Sequence, residues 1–388
     1  MLDPSAPAVA LRANVPPFQV MEVLSAAKAR QAVRGDVVSL AVGQPSTPAP
    51  AAVREAAAEA VRRDALGYTE QLGLPQLREA VAGHCDRAYG LAVGPEDVVA
   101  TTGASGAFLL AFLAAFDHGD RVALARPGYP AYRNILSALG CEVVELPCDA
   151  STRFQPTVEM LEELDEPVRG LIVASPANPT GTVLTGEELG ELAGWCERRG
   201  VQLISDEIYH GIGYGEPLRS AWEFSREAIV VNSFSKFWCM TGWRLGWMLV
   251  PPRLRRAVDS LTGNFTLCPP ALSQHAAVAA FGPEAYAEVE AHVRRYETNR
   301  DLLLTGLAEL GVRRVAPAEG AFYAYADLGE LTDDSAAWCR RLLEDTGVAV
   351  VPGLDFDPER GGRFVRMSFA GATEEIAEAI ARLATWLR

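Results

Sequence analysis

The sequence predicts an α/β fold: a large domain with a mostly parallel sheet flanked by helices, followed by a smaller α+β domain. Three observations predict it. Apolar runs alternate with helical stretches from about residue 50 to residue 283, as repeated strand–helix–strand units do. The residues able to do chemistry fall at the ends of the apolar runs, where open parallel sheets place their ligands. After residue 283 the pattern changes to one long charged helical stretch and then shorter apolar runs.

Residues 1–45 form a Pro-rich segment with a helical pattern, "VMEVLSAAKARQAV", and an apolar run, "VVSLAVGQP", stopped by Gly-Gln-Pro. This segment is expected to pack on the smaller domain. Residues 46–283 carry the alternation. "VVATTG" reads as a strand and "AFLLAFLAAF" as a buried helix, while "RVALARPGYP" and "CEVVELP" read as strands. "GLIVASPANPTG" is a strand with a hard stop, "GELAGWCERRG" a helix, and "VQLISDEIY" and "AIVVNSFSK" strands. Residues 284–388 hold the long helix "AYAEVEAHVRRYETNRDLLLTGLAEL", expected to end at Gly311. The runs "AFYAYADL", "VAVVPG" and "RFVRMSFA" follow as strands, and "TEEIAEAIARLATWLR" closes the chain as a helix.

Composition narrows the function. The 388 residues carry a net charge of −15, which disfavours a nucleic-acid partner held through its phosphates. The 7 cysteines include no C-x-x-C pair, so reduced, mostly buried thiols in a cytoplasmic protein are expected. The start lacks the basic end and unbroken apolar core of a signal peptide, and no run of about 18 apolar residues suggests a membrane span. Neither a P-loop nor a G-x-G-x-x-G pattern occurs, which argues against nucleotide-hydrolysing and dinucleotide enzymes.

Four short stretches carry candidate chemistry. "TTGASGA" (101–107) is either a tight turn or a helix start where small residues let the backbone approach an anion. "SPANPTG" (175–181) sets Asn178 between turn prolines. In "SDEIY" (205–209), Asp206 ends a buried strand, where it either caps a loop or meets a cationic partner. Lys236, after "VVNSFS", either reaches the surface or stays in an apolar pocket. In such a pocket it loses its charge readily and becomes a nucleophile toward carbonyls. Arg244 is either half of a structural ion pair or a bidentate anion ligand. Pyridoxal phosphate requires this combination. It needs a lysine for its aldehyde, an anion site for its phosphate, an acid for its ring nitrogen and donors for its phenolic oxygen.

With those residues in place, the chain resembles a class I, fold type I, pyridoxal-phosphate-dependent aminotransferase of the bacterial aspartate and aromatic branch. The match runs from about Val37 to the C-terminus. It is carried, in the family's order, by "YTEQLGLPQLREAVA", "TTGASGA", "SPANPTGTV", "SDEIY", "SFSKFWCMTGWRLGW", "GAFYAY" and "FVRMSFA". The resemblance implies that Lys236 anchors the cofactor and carries the proton removed from the substrate. It implies that Ala104, Ser105, Ser233 and Arg244 bind the phosphate, and that Tyr129, often a tryptophan in relatives, stacks on the ring. Asn178 and Tyr209 would hold the phenolic oxygen, and Asp206 would keep the ring nitrogen protonated. Arg366 would grip the substrate carboxylate with Asn178 and the backbone of Gly43. Tyr68 would reach the partner subunit's phosphate in a homodimer with shared active sites.

The implied reaction moves an amino group from an L-amino acid to a 2-oxo acid by a ping-pong mechanism. The donor is left between aspartate and aromatic or other hydrophobic amino acids. Phe18, Phe265 and Tyr323 are candidates for a pocket that accepts an aromatic side chain, and no motif fixes a second cation for a distal carboxylate. Two other readings share the fold: a lyase that cleaves Cβ–S bonds, and a cofactor-binding regulator. The regulator needs an N-terminal DNA-binding domain, and the roughly 45 residues before the catalytic pattern show no helix-turn-helix pattern.

Overall fold

The strands of the computed structural model alternate their side chains between two separate cores, and this places the site. The structure describes residues 9–63 and 66–388. In the large sheet, Val122, Leu124, Ile172, Ile204 and Val231 point into one core with Phe108 and Phe112 of the helix Gly103–Ala115. Their neighbours Ala123, Leu171, Val173, Leu203 and Val230 point into the other, against Leu189, Leu192 and Trp195 of the helix Gly186–Arg199. A strand with both faces covered reads as a continuous apolar run, which is why these segments lack polar alternation.

Ahead of the large sheet come a 3-10 turn at Leu11–Ala13, the helix Gln19–Arg34 and a short strand β1 (Val38–Ser39). The large sheet is built from β2 (Val98–Thr101), β3 (Arg121–Arg126), β4 (Glu142–Pro147), β5 (Gly170–Ala174), β6 (Gln202–Asp206), β7 (Ile229–Ser233) and β8 (Gly246–Leu249). Its order is β2-β8-β7-β6-β5-β3-β4. The pairs among β4, β3, β5, β6 and β7 are parallel, while β8 runs antiparallel between β7 and β2. Strand β8 has no signal of its own in the sequence: it directly follows Arg244 and Leu245, and an apolar run of four residues has no resolvable period.

The smaller part contains β9 (Tyr323–Asp327), β10 (Val348–Ala349), β11 (Val351–Pro352) and β12 (Phe364–Ser368). Strands β11, β12 and β9 make an antiparallel sheet, and β10 pairs in parallel with β1. "VAVVPG" therefore divides between two sheets. The long helix spans Pro283–Glu309, just short of the expected stop at Gly311. Its Asn299 ties it to the smaller sheet through Nδ2 donations to the Phe369 and Gly371 carbonyls, each at 3.0 Å.

The first helix is held against the smaller part at its N-terminus. The Gln19 and Val20 N–H groups donate to the two carboxylate oxygens of Asp355 at 3.1 and 3.2 Å. These are orphan amides of a first turn, so an anion there both satisfies and electrostatically favours the helix end. All of the cysteines are free thiols. Among the described residues no helix is long and apolar enough to cross a membrane.

Candidate active site

At the carboxyl ends of β5, β6 and β7 the chain leaves the sheet, and the side chains there converge on a cavity of about 590 Å³. Eleven of the residues expected at the site line it: Gly43, Ala104, Ser105, Tyr129, Asn178, Asp206, Tyr209, Ser233, Lys236, Arg244 and Arg366. Tyr68 does not. It is 85% exposed on its own chain. Phe265 is also exposed and absent from this cavity wall, Phe18 stacks behind Tyr129 with ring centroids 6.1 Å apart, and Tyr323 lies in the wall.

Lys236 follows β7, and its Nζ donates to the Gly43 carbonyl at 2.7 Å. Burial, reinforced by the positive charge of Arg366, lowers this amine to about 8, while Asp206 opposes the change. An amine lowered that far spends an appreciable share of its time neutral near pH 7, as a carbonyl nucleophile must.

Asp206 ends β6 and is 3% exposed. The Ile208 N–H donates to its Oδ1 at 3.0 Å, and the Tyr132 hydroxyl donates to its Oδ2. Burial lifts the carboxyl to about 6, with those two donors and Lys236 pulling the other way. The residue keeps unused acceptor capacity and faces the cavity.

Arg366, on β12, reaches across from the smaller sheet. Its Nη1 donates to Asn178 Oδ1 and its Nη2 to the Ala41 carbonyl, each at 2.9 Å. The guanidinium carbon lies 4.4 Å from the Tyr323 ring centre, and the buried Nε has no partner. A buried cation held by neutral acceptors and lacking a carboxylate is costly unless an anion arrives. This is the strongest single sign of an anionic ligand in the cavity.

The start of the helix Gly103–Ala115 also borders the cavity, and no side chain caps its first turn. Arg244 holds a left-handed backbone (φ 51°, ψ 50°), and its Nη1 donates to the Thr241 carbonyl at 2.9 Å. A Cβ at Gly103, where φ is +77°, would stand 2.7 Å from Arg244 Nη2. Only glycine lets the guanidinium close on the helix N-terminus in this way. Ser233 Oγ accepts from the Ser235 N–H at 3.0 Å.

The donor set fits pyridoxal phosphate: an amine for the aldehyde, a carboxylate with free lone pairs for the ring nitrogen, and a helix start with an arginine for the phosphate. Tyr209 shares a 2.8 Å hydrogen bond with Tyr323, and burial pushes its hydroxyl well above the usual phenol range, so it stays a neutral donor.

Sequence reasoning missed several wall residues. Tyr132 sits three residues after Tyr129 in the helix Pro130–Leu139, a spacing that returns to the same face and was the available signal. Ser235, Ile208, Val20, Met21 and Leu24 also line the cavity. The last three come from the first helix, and nothing local in the sequence marks that helix as part of the site.

The sequence pattern of the family "Aminotransferase class I and II" matches residues 35–383. The chain belongs to that family, and it is a pyridoxal-phosphate-dependent aminotransferase of fold type I. It is 61% identical over 381 residues to a valine–pyruvate aminotransferase from Mycobacterium tuberculosis, covering 98% of each chain. An aspartate/prephenate aminotransferase from Thermus thermophilus is 36% identical, with 90% of each chain covered. Among solved structures, an aminotransferase from Mycobacterium tuberculosis superposes with a TM-score of 0.97 at 60% identity, covering 98% of this chain and 99% of that one. The aspartate aminotransferase from Thermus thermophilus with maleate gives 0.92 at 33% identity, covering 98% and 100%.

Proposed function

We propose that this enzyme transfers the amino group of an aliphatic, valine-like L-amino acid to a short 2-oxo acid by a ping-pong mechanism. The observation that carries the donor assignment is the charge inventory of the cavity wall. Among the described residues its only cations are Lys236, Arg244 and Arg366. In this reading Lys236 is the cofactor anchor, Arg244 serves the phosphate and Arg366 the α-carboxylate. Among the described residues of the wall no cation is left for a distal carboxylate, whereas Val20, Met21, Leu24 and Val42 offer apolar surface. The 61% identity to a valine–pyruvate aminotransferase supports the same donor class.

When bound, pyridoxal phosphate supplies the aldehyde that accepts the amino group and a ring that takes up the electron pair left at the substrate Cα. The chain does the rest. Arg366 and Asn178 orient the α-carboxylate. Lys236 Nζ removes the Cα proton and holds it within the cavity. Asp206 keeps the ring nitrogen cationic, Tyr209 and Asn178 hold the phenolic oxygen, and Tyr129 covers the ring. Ala104, Ser105, Ser233 and Arg244 fix the phosphate. Because the first product leaves before the second substrate binds, double-reciprocal plots at several acceptor concentrations are expected to be parallel.

The test of the donor is a single half-reaction. Enzyme loaded with cofactor is mixed with valine, phenylalanine or aspartate, and conversion to the pyridoxamine form is read by absorbance without an acceptor. Fastest conversion with valine supports the assignment. Fastest conversion with aspartate overturns it and requires a cation from elsewhere. Release of pyruvate and ammonia from a cystathionine-like substrate would mark the lyase reading instead.

We also read the chain as three units, residues 1–45, 46–283 and 284–388, working as a homodimer. The exposed Tyr68, Phe265 and Leu267 support a second copy covering this surface. Hydrogen bonds from Gln274 to Thr69 and to the Pro269 carbonyl, each at 2.9 Å, join the two segments concerned. If Tyr68 completes the partner's phosphate site, mixed dimers of Lys236→Ala and Tyr68→Ala regain activity above either parent. If it acts within its own chain, mixing recovers nothing.

A further inference from the structure

Asp206 is the only carboxylate on the cavity wall among the described residues, and each of its oxygens already accepts one hydrogen bond. The two donors differ in kind. The Ile208 N–H comes from the backbone two residues on and would be present whatever the side chains were. The Tyr132 hydroxyl comes from a helix 74 residues away in sequence. It is held there by packing: Phe108 meets the Tyr132 ring edge-on at 5.0 Å and Tyr129 does so at 5.4 Å. Both partners are buried, Tyr132 at 4% and Asp206 at 3% exposure.

A carboxyl group facing a ring nitrogen in a dry site has two ways to place one proton. The neutral arrangement keeps it on the carboxyl, and the ionic arrangement keeps it on the nitrogen. Burial favours the neutral arrangement, because neither partner then carries charge. Donors to the carboxylate favour the ionic one, because they stabilise the anion. One backbone donor leaves the contest open, and a second donor from a phenol shifts it toward the ionic form.

We propose that Tyr132 is a positioning residue that acts through Asp206 to keep the shared proton on the ring nitrogen of the cofactor. The inference rests on the reading of Asp206 as the ring-nitrogen partner. Burial, and next the neighbouring Asp206, raise the Tyr132 hydroxyl well above the usual phenol range, so it remains a proton donor at any working pH. Tyr132→Phe keeps the ring contacts to Phe108 and Tyr129 and removes the hydroxyl alone.

The experiment uses cofactor carrying ¹⁵N at the ring nitrogen, bound to wild type, Tyr132→Phe and Asp206→Asn at neutral pH. The ¹⁵N resonance of a pyridine moves far upfield on protonation. Wild type is expected at the pyridinium position, Tyr132→Phe displaced toward the neutral position, and Asp206→Asn at or near neutral. A second measurement compares affinity for the native cofactor with affinity for an analogue bearing C–H in place of the ring nitrogen. Tyr132→Phe is expected to weaken the native cofactor about tenfold or more and the analogue less than about twofold.

A Tyr132→Phe resonance at the wild-type position overturns the inference, and so does an equal loss of affinity for both compounds, which marks a purely structural tyrosine. The underlying reading fails separately. If Asp206→Asn leaves the pyridinium resonance in place, Asp206 is not the nitrogen's partner and both ideas fall. If Asp206→Asn moves it and Tyr132→Phe does not, only the role of Tyr132 falls.

Discussion

Asp206 and Glu207 are consecutive, both buried and both carboxylic, yet they lie in opposite kinds of surroundings. Asp206 faces the cavity with two donors and open acceptor capacity, within the influence of the Lys236 charge. Glu207 faces the core. Its Oε1 accepts from Ser205 Oγ at 3.1 Å, Ser220 Oγ at 3.2 Å and the Ala221 N–H at 2.8 Å. Its Oε2 lies 3.5 Å from His210, which in turn bonds Tyr89 at 2.6 Å and the Ser175 carbonyl at 3.0 Å. Burial lifts Glu207 to about 8 and lowers His210 to about 3, so at neutral pH this inner cluster is mostly uncharged. One strand end therefore turns one carboxyl toward a ligand and the next toward a closed network. A buried group whose hydrogen bonds are filled by its own chain reads as structural. A buried charge left short of its counter-ion reads as a binding site.

The sharpest way to break this contrast is at the anchor. Lys236→Ala is expected to abolish turnover. Borohydride reduction is expected to fix the cofactor's mass to wild-type chain and not to the variant. Retained covalent mass on the variant would move the anchor to another lysine. The wild-type amine also gives a pH signature: cofactor uptake by the apoenzyme should accelerate as pH rises through about 8, where the Lys236 ammonium loses its proton. Stopped-flow absorbance measures it.

Asp206→Asn comes next. Breaking one side of a buried ion pair costs about 3–5 kcal/mol, or roughly two to four orders of magnitude if lost in the transition state. Turnover within tenfold of wild type would place Asp206 with Glu207 as a structural residue.

Arg366→Lys keeps the charge but loses the planar fork. It is expected to weaken amino-acid and oxo-acid binding by about 1.5–3 kcal/mol, tenfold or more in KM, with cofactor affinity unchanged. Loss of cofactor affinity alone would assign Arg366 to the phosphate.

Glu207→Gln should have the smallest effect on activity, within about tenfold, because the amide mimics the protonated carboxyl. Its signature lies in stability. Glu207 has a raised folded value, so the folded chain holds its proton after the unfolded chain has released it, and stability falls as pH rises from 4.5 to about 8. His210 has a lowered folded value, so stability falls as pH drops below 6.5. Between pH 6.5 and 8 the Glu207 slope persists without the His210 one, opposed toward pH 8 by Lys236, whose lowered folded value makes stability rise with pH. Thermal melts of Glu207→Gln should lose that decline, and an unchanged slope would show that Glu207 is ionised in the fold.

The inventory of this site was legible in the sequence because each part is local. Ser233 ends one strand with Lys236 just beyond it, Asp206 ends another with Tyr209 beyond it, and Asn178 follows a third, so the strand ends fix where such residues emerge. The alternation of apolar runs likewise encoded the covered faces of β3, β5, β6 and β7. The pairings were decided only in three dimensions. Arg366 meets Asn178 across 188 residues and Lys236 meets the Gly43 carbonyl across 193. Tyr132 reaches Asp206 only because β3 and β6 lie in one sheet on either side of β5. Insertion of β8 between β7 and β2 brings Gly246 beside the start of the helix that Arg244 faces. Side-chain periodicity records which face of an element is buried, whereas strand order and the packing of the smaller sheet determine what that face meets.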